Sequence, residues 1–242
     1  MALHFLVESS SDTPVGDVVT LTGPEAKHAA VVRRLRVGEA VSVGDGAGVW
    51  LTGIAEEVSP SRVDVRVSER REEAAPTPRL VLVQALAKGD RDELAVQAAC
   101  ELGVDEIVPW QASRSVSRWE GPKAVKGRER WATIVREAAK QAHRAWVPEV
   151  SAPATTADLA TRASHQRVLL LDPTASTRLS DVTPDGRDLV LVVGPEGGIS
   201  ADELTRLSEA GAERVLLGDT VLRTSTAGPA AIAVLSVALG RW

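Results

Sequence analysis

Two glycine-rich stretches carry the strongest chemical signal in this chain. The apolar run Leu189–Val193 leads into Gly194-Pro195-Glu196-Gly197-Gly198, and further on Leu217-Gly218 precedes Leu222-Arg223-Thr224-Ser225-Thr226-Ala227-Gly228. Glycines at the carboxyl end of a buried strand let the backbone approach a ligand closely or take positive φ, and open α/β sheets bind their ligands at that edge. Pro195 stiffens the first turn. No Gly-Lys-Ser/Thr follows and the Gly-x-Gly-x-x-Gly spacing is absent, so neither a Walker loop nor a dinucleotide fingerprint is present. Taken alone, the first turn also reads as a plain strand-to-helix connection. Its pairing with the second stretch, which adds the cation Arg223 to the carboxylate Glu196, is what points to a site.

A second signal is basic. Residues 112–147 hold nine Arg and Lys, among them Arg114, Arg128, Arg130 and Arg144, against three Glu, whereas the whole chain has a net charge of −5. Phosphate is met by a local patch rather than by the net charge. Trp119, Trp131 and Trp146 share this stretch, and such rings stack on bases. The same residues also read as a solvated helix with its tryptophans in a core.

At 242 residues and 44% hydrophobic, the chain is long enough to bury a sizeable core in one or two domains. One cysteine, Cys100, excludes a disulfide framework and a cysteine-based zinc site, and no metal is expected. No apolar run reaches the ~20 residues of a membrane span and no secretory leader is recognisable, so a cytoplasmic location and no membrane partner are expected.

The elements that must position these residues follow from periodicity. Short β-like runs at Phe5–Val7, Val18–Leu21, Ala40–Val43, Val49–Thr52 and Val63–Val67, with one helix over Pro24–Leu35, suggest a small barrel or sandwich. Arg70–Pro78 breaks the pattern and reads as a linker. Strands at Leu80–Leu86, Glu106–Trp110, Val168–Leu171, Leu189–Val193 and Arg214–Leu217 then alternate with helices at Asp92–Leu102, Arg128–Ala145 and Ala227–Leu239. Ser200-Ala201-Asp202-Glu203 reads as a capping box that opens a further helix, ending at Gly211. This alternation predicts an α/β fold with a parallel sheet. Glu137, Gln141 and Arg144, spaced i, i+4 and i+7, are expected on one helix face, opposite Trp131 and Ala138.

The C-terminal pair of motifs resembles the SPOUT methyltransferases, most closely the branch that methylates N3 of a uridine in 16S ribosomal RNA. Lys88-Gly89-Asp90, Gln97, Glu101-Leu102-Gly103-Val104, Pro109, Arg114, Gln141, Arg144 and Pro148 fall in that family's order, and His28 with Val32–Glu39 resembles its PUA-like RNA-binding module. Ser225, Ala98 and Lys140 depart from the family pattern. The resemblance implies a PUA-like β-barrel over residues 1–71, a linker over 72–78, and a SPOUT domain with a deep trefoil knot over 79–242. It implies S-adenosyl-L-methionine as cofactor, held by Leu171, Gly194, Pro195, Glu196, Gly197, Gly198, Leu217, Gly218, Leu222, Arg223, Thr224, Thr226 and Ala227. Arg223, Arg144 and Glu196 are the implied catalytic residues; Arg34, Arg36, Lys88, Arg114, Arg128, Arg130, Gln141 and Arg144 are the implied RNA contacts. The implied partners are small-subunit ribosomal RNA or the assembled small subunit, and a second copy in a homodimer. A non-catalytic RNA-binding protein and a methyltransferase acting on a ribose 2'-hydroxyl or a guanine remain as alternatives.

Overall fold

Period-two alternation in the first third of the chain produces a five-stranded sheet. Its elements are β1 (Leu3–Leu6), β2 (Val18–Thr22), the short helix α1 (Gly23–Lys27), β3 (Ala40–Gly44), β4 (Val49–Val58) and β5 (Arg62–Glu72), with strand order β1-β3-β4-β5-β2. Along β5, Val63, Val65 and Val67 point into the core while Arg62 and Arg66 face out. Register shifts between β4 and β5 at Thr52/Gly53 and Ala55/Glu57 curl the sheet into a half-barrel. At Gly53 a Cβ would lie 2.3 Å from the Arg66 carbonyl oxygen. The helix expected over Pro24–Leu35 is shorter: α1 passes into a π-turn over His28–Val32, and Arg34 turns to φ 55°, which buries Leu35 and leaves Arg33, Arg34 and Arg36 exposed. His28 packs edge-on against Phe5.

The computed structural model describes residues 3–242, which divide into two units: one running to Ala75 and including Ala139–Val147, the other made of Pro76–Ala138 and Pro148–Trp242. The segment 139–147 joins the first unit by pairing. Ala47 bridges Trp146, Gly48 N–H donates to the Ala145 carbonyl at 3.1 Å, and Val147 N–H donates to the Gly46 carbonyl at 2.9 Å. β5 runs on to Glu72, into the stretch read as a linker.

The second unit contains β6 (Leu80–Ala85), α2 (Arg91–Glu101), β7 (Glu106–Trp110), the greater part of α3 (Pro122–Gln141), β8 (Glu149–Val150), α4 (Thr156–Arg162), β9 (Arg167–Leu171), β10 (Leu189–Val193), α5 (Ala201–Glu209), β11 (Glu213–Val215) and α6 (Thr224–Ala238). Its strands form a six-stranded, all-parallel sheet in the order β11-β9-β10-β6-β7-β8. β6, β7 and β10 are buried at every position, as a sheet covered on both faces requires.

The expected helix over Arg128–Ala145 is corrected at both ends. α3 starts at Pro122 and stops at Gln141, so Arg144 lies beyond the helix and does not share a helical face with Glu137 and Gln141. The stop is a Schellman turn: His143 takes φ 54°, its N–H donates to the Lys140 carbonyl, and Arg144 N–H donates to the Ala139 carbonyl. A histidine in the left-handed position gives no stop signal that sequence reading would register. Trp131 is buried and packs edge-on against Trp119 at 5.0 Å between centroids, which makes it a core residue.

α6 lies close on the sheet because Gly228 has no side chain. A Cβ there would stand 3.2 Å from Leu82 Cδ1 and 3.5 Å from Val193 Cγ2. Gly228→Val is therefore expected to destabilise the fold by about 1–3 kcal/mol through overpacking; urea unfolding checks it, and an unchanged midpoint would contradict the close packing.

Candidate active site

The carboxyl ends of β9 and β10, the loop after β11 and the start of α6 border one cavity of about 750 Å³. Its wall includes Leu171, Gly194, Pro195, Glu196, Gly198, Leu217, Gly218, Leu222, Arg223, Thr224 and Ala227 from the set expected by sequence, and also Arg114. Gly197 and Thr226 do not reach the wall. The Gly197 carbonyl accepts from Arg114 Nη1 at 2.9 Å, and Thr226 N–H donates to the Arg223 carbonyl at 2.8 Å. Sequence reading missed Arg91, Asp172, Thr174, Ile199, Leu204, Leu216 and Val221, which reach the cavity from loops and helix starts without a motif.

The glycine turn is held from several sides. Gly198 takes φ 71°, and its N–H donates to the Pro195 carbonyl at 2.8 Å, closing the turn. The Thr224 hydroxyl donates to the Gly194 carbonyl at 2.9 Å, joining the turn to the first residue of α6. Glu196 accepts from Lys88 N–H at 3.0 Å and from Arg91 Nη1 at 2.9 Å, which ties the turn to the loop after β6. Partial burial opposes ionisation of Glu196, but the backbone N–H groups of Glu196 and Lys88 and the Arg91 guanidinium outweigh it and hold the carboxyl below the usual range.

Two further carboxylates are similarly engaged. Asp172 accepts from Thr174 N–H and Oγ1 and from Arg214 Nε; these bonds outweigh burial and keep it ionised below the usual range. Glu203 forms the capping box with Ser200 that the sequence implied, and also accepts from Ser113 N–H, Ser113 Oγ and Thr156 Oγ1. It thereby fixes the residue next to Arg114. With the acids on the wall paired, Arg114 and Arg223 are cavity-lining guanidiniums with no carboxylate partner among the described residues, whereas Arg91 is neutralised by Glu196.

The other expected residues lie elsewhere. Arg128 Nε donates to the Val150 carbonyl at 2.8 Å and Arg130 is ion-paired with Glu93, so Arg130 is already compensated. Lys123 and Lys126 on α3 are exposed. Gln141 and Arg144 belong to the first unit, where Lys140 is buried against Glu25 at 3.0 Å. Among the described residues no group of three or more His, Cys, Asp or Glu is placed to hold a metal, and no helix is long and apolar enough to cross a membrane.

A parallel sheet thus gathers two glycine turns and two arginines around one cavity, in a chain with a separate curled β-sheet, and comparison with known proteins gives this arrangement its class: an RNA methyltransferase. Residues 73–236 match the family model described as an RNA methyltransferase domain, and residues 21–68 match an RNA methyltransferase PUA domain. The chain is 41% identical to ribosomal RNA small subunit methyltransferase E of Mycobacterium bovis, covering all of this chain and 94% of the relative. It is 30% identical to the Bacillus subtilis protein of the same name, over 98% and 96% of the two chains. Among solved structures it is similar to ribosomal RNA small subunit methyltransferase E from Neisseria gonorrhoeae bound to S-adenosyl methionine, with a TM-score of 0.88 and 29% identity over 98% of each chain. A methyltransferase from Legionella pneumophila in complex with the same cofactor gives a TM-score of 0.85 and 30% identity over 98% and 97% of the two chains. The chain belongs to the ribosomal RNA small subunit methyltransferase E family of RNA methyltransferases.

Burial opposes ionisation of Glu203, but hydrogen bonds from the backbone and side chains of Ser113 and Ser200 outweigh it, so its folded pKa lies below its unfolded value. Its contribution is present above the unfolded value of 4.5 and is lost as pH falls through the lower folded value. Glu203→Gln is expected to be less stable than wild type at pH near 7 and to lose less stability between about pH 4.5 and 3. Urea unfolding across that range checks this, and parallel pH curves would contradict it.

Proposed function

We propose that this chain transfers a methyl group from S-adenosylmethionine to N3 of a uridine in 16S ribosomal RNA of the small subunit. The observation that carries the reading is the single cavity bordered by both glycine-rich stretches, in a family whose relatives are named for small-subunit ribosomal RNA methylation and whose structural neighbours hold that cofactor. The residues fit the group: the volume lies within the range of about 300–1,000 Å³ usual for such ligands, and Val193, Ile199, Leu204, Leu216, Leu217 and Leu222 supply apolar wall beside turn backbone. Bound there, the cofactor supplies a methyl group already activated by its sulfonium.

The chain's own contribution is position and charge. N3 lies on the Watson–Crick edge, so the target base must be unpaired or extruded. As the imino proton passes to solvent water, negative charge builds on O2 and O4, and a fixed cation beside them stabilises the transition state more than the neutral ground state. Arg223, on the cavity wall with no carboxylate partner among the described residues, is assigned that role, and Arg114 is a second wall cation. Glu196, ion-paired and easily ionised, orders the loops in this reading. Arg144 and Gln141, taken from the resemblance, stand as contacts to the RNA from the first unit, as do Arg34 and Arg36.

Two further elements belong to the reading. A knotted second domain belongs to the reading through membership of the family, and the Thr224–Gly194 hydrogen bond lies between the two segments it would bring together. Exposed Val221 on the loop before α6 and Val237 on α6 suit a homodimer contact. A cytoplasmic location is consistent with a small-subunit ribosomal RNA substrate.

Single-turnover transfer of labelled methyl to small-subunit RNA, with the product nucleoside identified by mass spectrometry, tests the function. Wild type is expected to yield N3-methyluridine, and Arg223→Ala to be slower by about two to three orders of magnitude with much smaller loss of cofactor affinity. Methyl on a ribose or a guanine, or no cofactor binding, would contradict the reading.

Reversal of Lys123 and Lys126 to Glu is expected to weaken RNA binding and lower the slope of log affinity against log salt by about two, roughly one per lost phosphate contact. An unchanged slope would return this face of α3 to a merely solvated role.

A further inference from the structure

Gln84 is a fully buried polar side chain in the central strand β6, beside Val193 in register. Its Nε2 donates to Thr224 Oγ1 at 2.9 Å and to the Ala85 carbonyl at 3.2 Å. The Thr224 hydroxyl has one hydrogen, and the Gly194 carbonyl 2.9 Å away can only accept. That hydrogen therefore goes to Gly194, and Gln84 must face Thr224 with its amino group. This fixes the orientation of the amide. Gln84 Oε1 is left without a hydrogen-bond partner among the described residues. A buried, unmade acceptor bond destabilises the fold, a cost that an aliphatic side chain in the same strand would avoid. The amide is thus accounted for by what its N–H groups hold.

Gln84 does not line the cavity, whereas Thr224 and Gly194 do. We infer that Gln84 is a positioning residue of the cofactor cavity: acting through Thr224, it sets the Gly194 carbonyl and so the spacing between the turn at 194–198 and the start of α6. The inference rests on the proposal that this cavity holds S-adenosylmethionine.

The test combines calorimetric titration of S-adenosylmethionine with amide hydrogen exchange of the ligand-free full chain. Gln84→Met, close in volume but without donors, and Thr224→Val are each expected to weaken cofactor binding about tenfold, the scale of one lost hydrogen bond. Each is also expected to speed exchange in 194–198 and 222–227 together. Thr224→Ser, which keeps the hydroxyl, should restore slow exchange in both segments. Because the two residues act in series, the double variant Gln84→Met/Thr224→Val should bind no more weakly than Thr224→Val alone. Wild-type affinity and exchange in Gln84→Met, or additive losses in the double variant, would overturn the inference. If Gln84→Met fails to fold, wild-type exchange and affinity in Thr224→Val overturn it equally. Failure of wild type to bind the cofactor would sink the proposed function, and the exchange pattern would then decide on Gln84 by itself.

Discussion

The hydrogen bond from the Thr224 hydroxyl to the Gly194 carbonyl is the contact on which the working edge of the second unit depends. A parallel sheet ends in backbone groups that the next strand no longer satisfies, and buried groups of that kind must find partners. Here the carbonyl of Gly194, just past the end of β10, is taken by the first residue of α6, so the chain returns to the turn it left before α5. Gly228 lets the same helix lie directly on Leu82 and Val193. Both glycine-rich stretches thus face one cavity although α5 and β11 separate them in sequence.

Charge around the cavity is arranged by the same economy of partners. Asp172, Glu196 and Glu203 each spread their negative charge over several N–H and O–H groups or a guanidinium, and each anchors a different loop: the one after β9, the glycine turn, and the one after β7. A carboxylate so engaged is a poor proton acceptor, because the hydrogen bonds that order the loop also lower its basicity. Arg114 and Arg223 remain as fixed cations, and Arg114 is itself steered by the Gly197 carbonyl. A group that gains negative charge beside either of these guanidiniums is stabilised there.

What could be read from the sequence divides along physical lines. β10 and the Ser200–Glu203 capping box depend on neighbours within a few residues, so their patterns are local. Gly194–Gly198 and Leu217–Ala227 could be paired because glycine and proline mark turns whatever lies across from them. The end of α3 could not be read, since His143 holds the position where glycine is the usual signal. Nor could the membership of 139–147 in the first unit, which rests on Ala47, Gly46 and Gly48, far away in the chain. Arg91, Asp172 and Thr174 come to the cavity by tertiary folding alone. The tryptophans of the basic stretch were ambiguous by type, and burial places Trp131 in the core.

The most direct measurement is a crystal structure of the chain with S-adenosylmethionine. The account predicts the cofactor in the cavity between Gly194–Gly198 and Leu217–Ala227, with its methyl group open toward the side on which Arg223 stands. Cofactor bound at any other surface, with that cavity left to solvent, would contradict it.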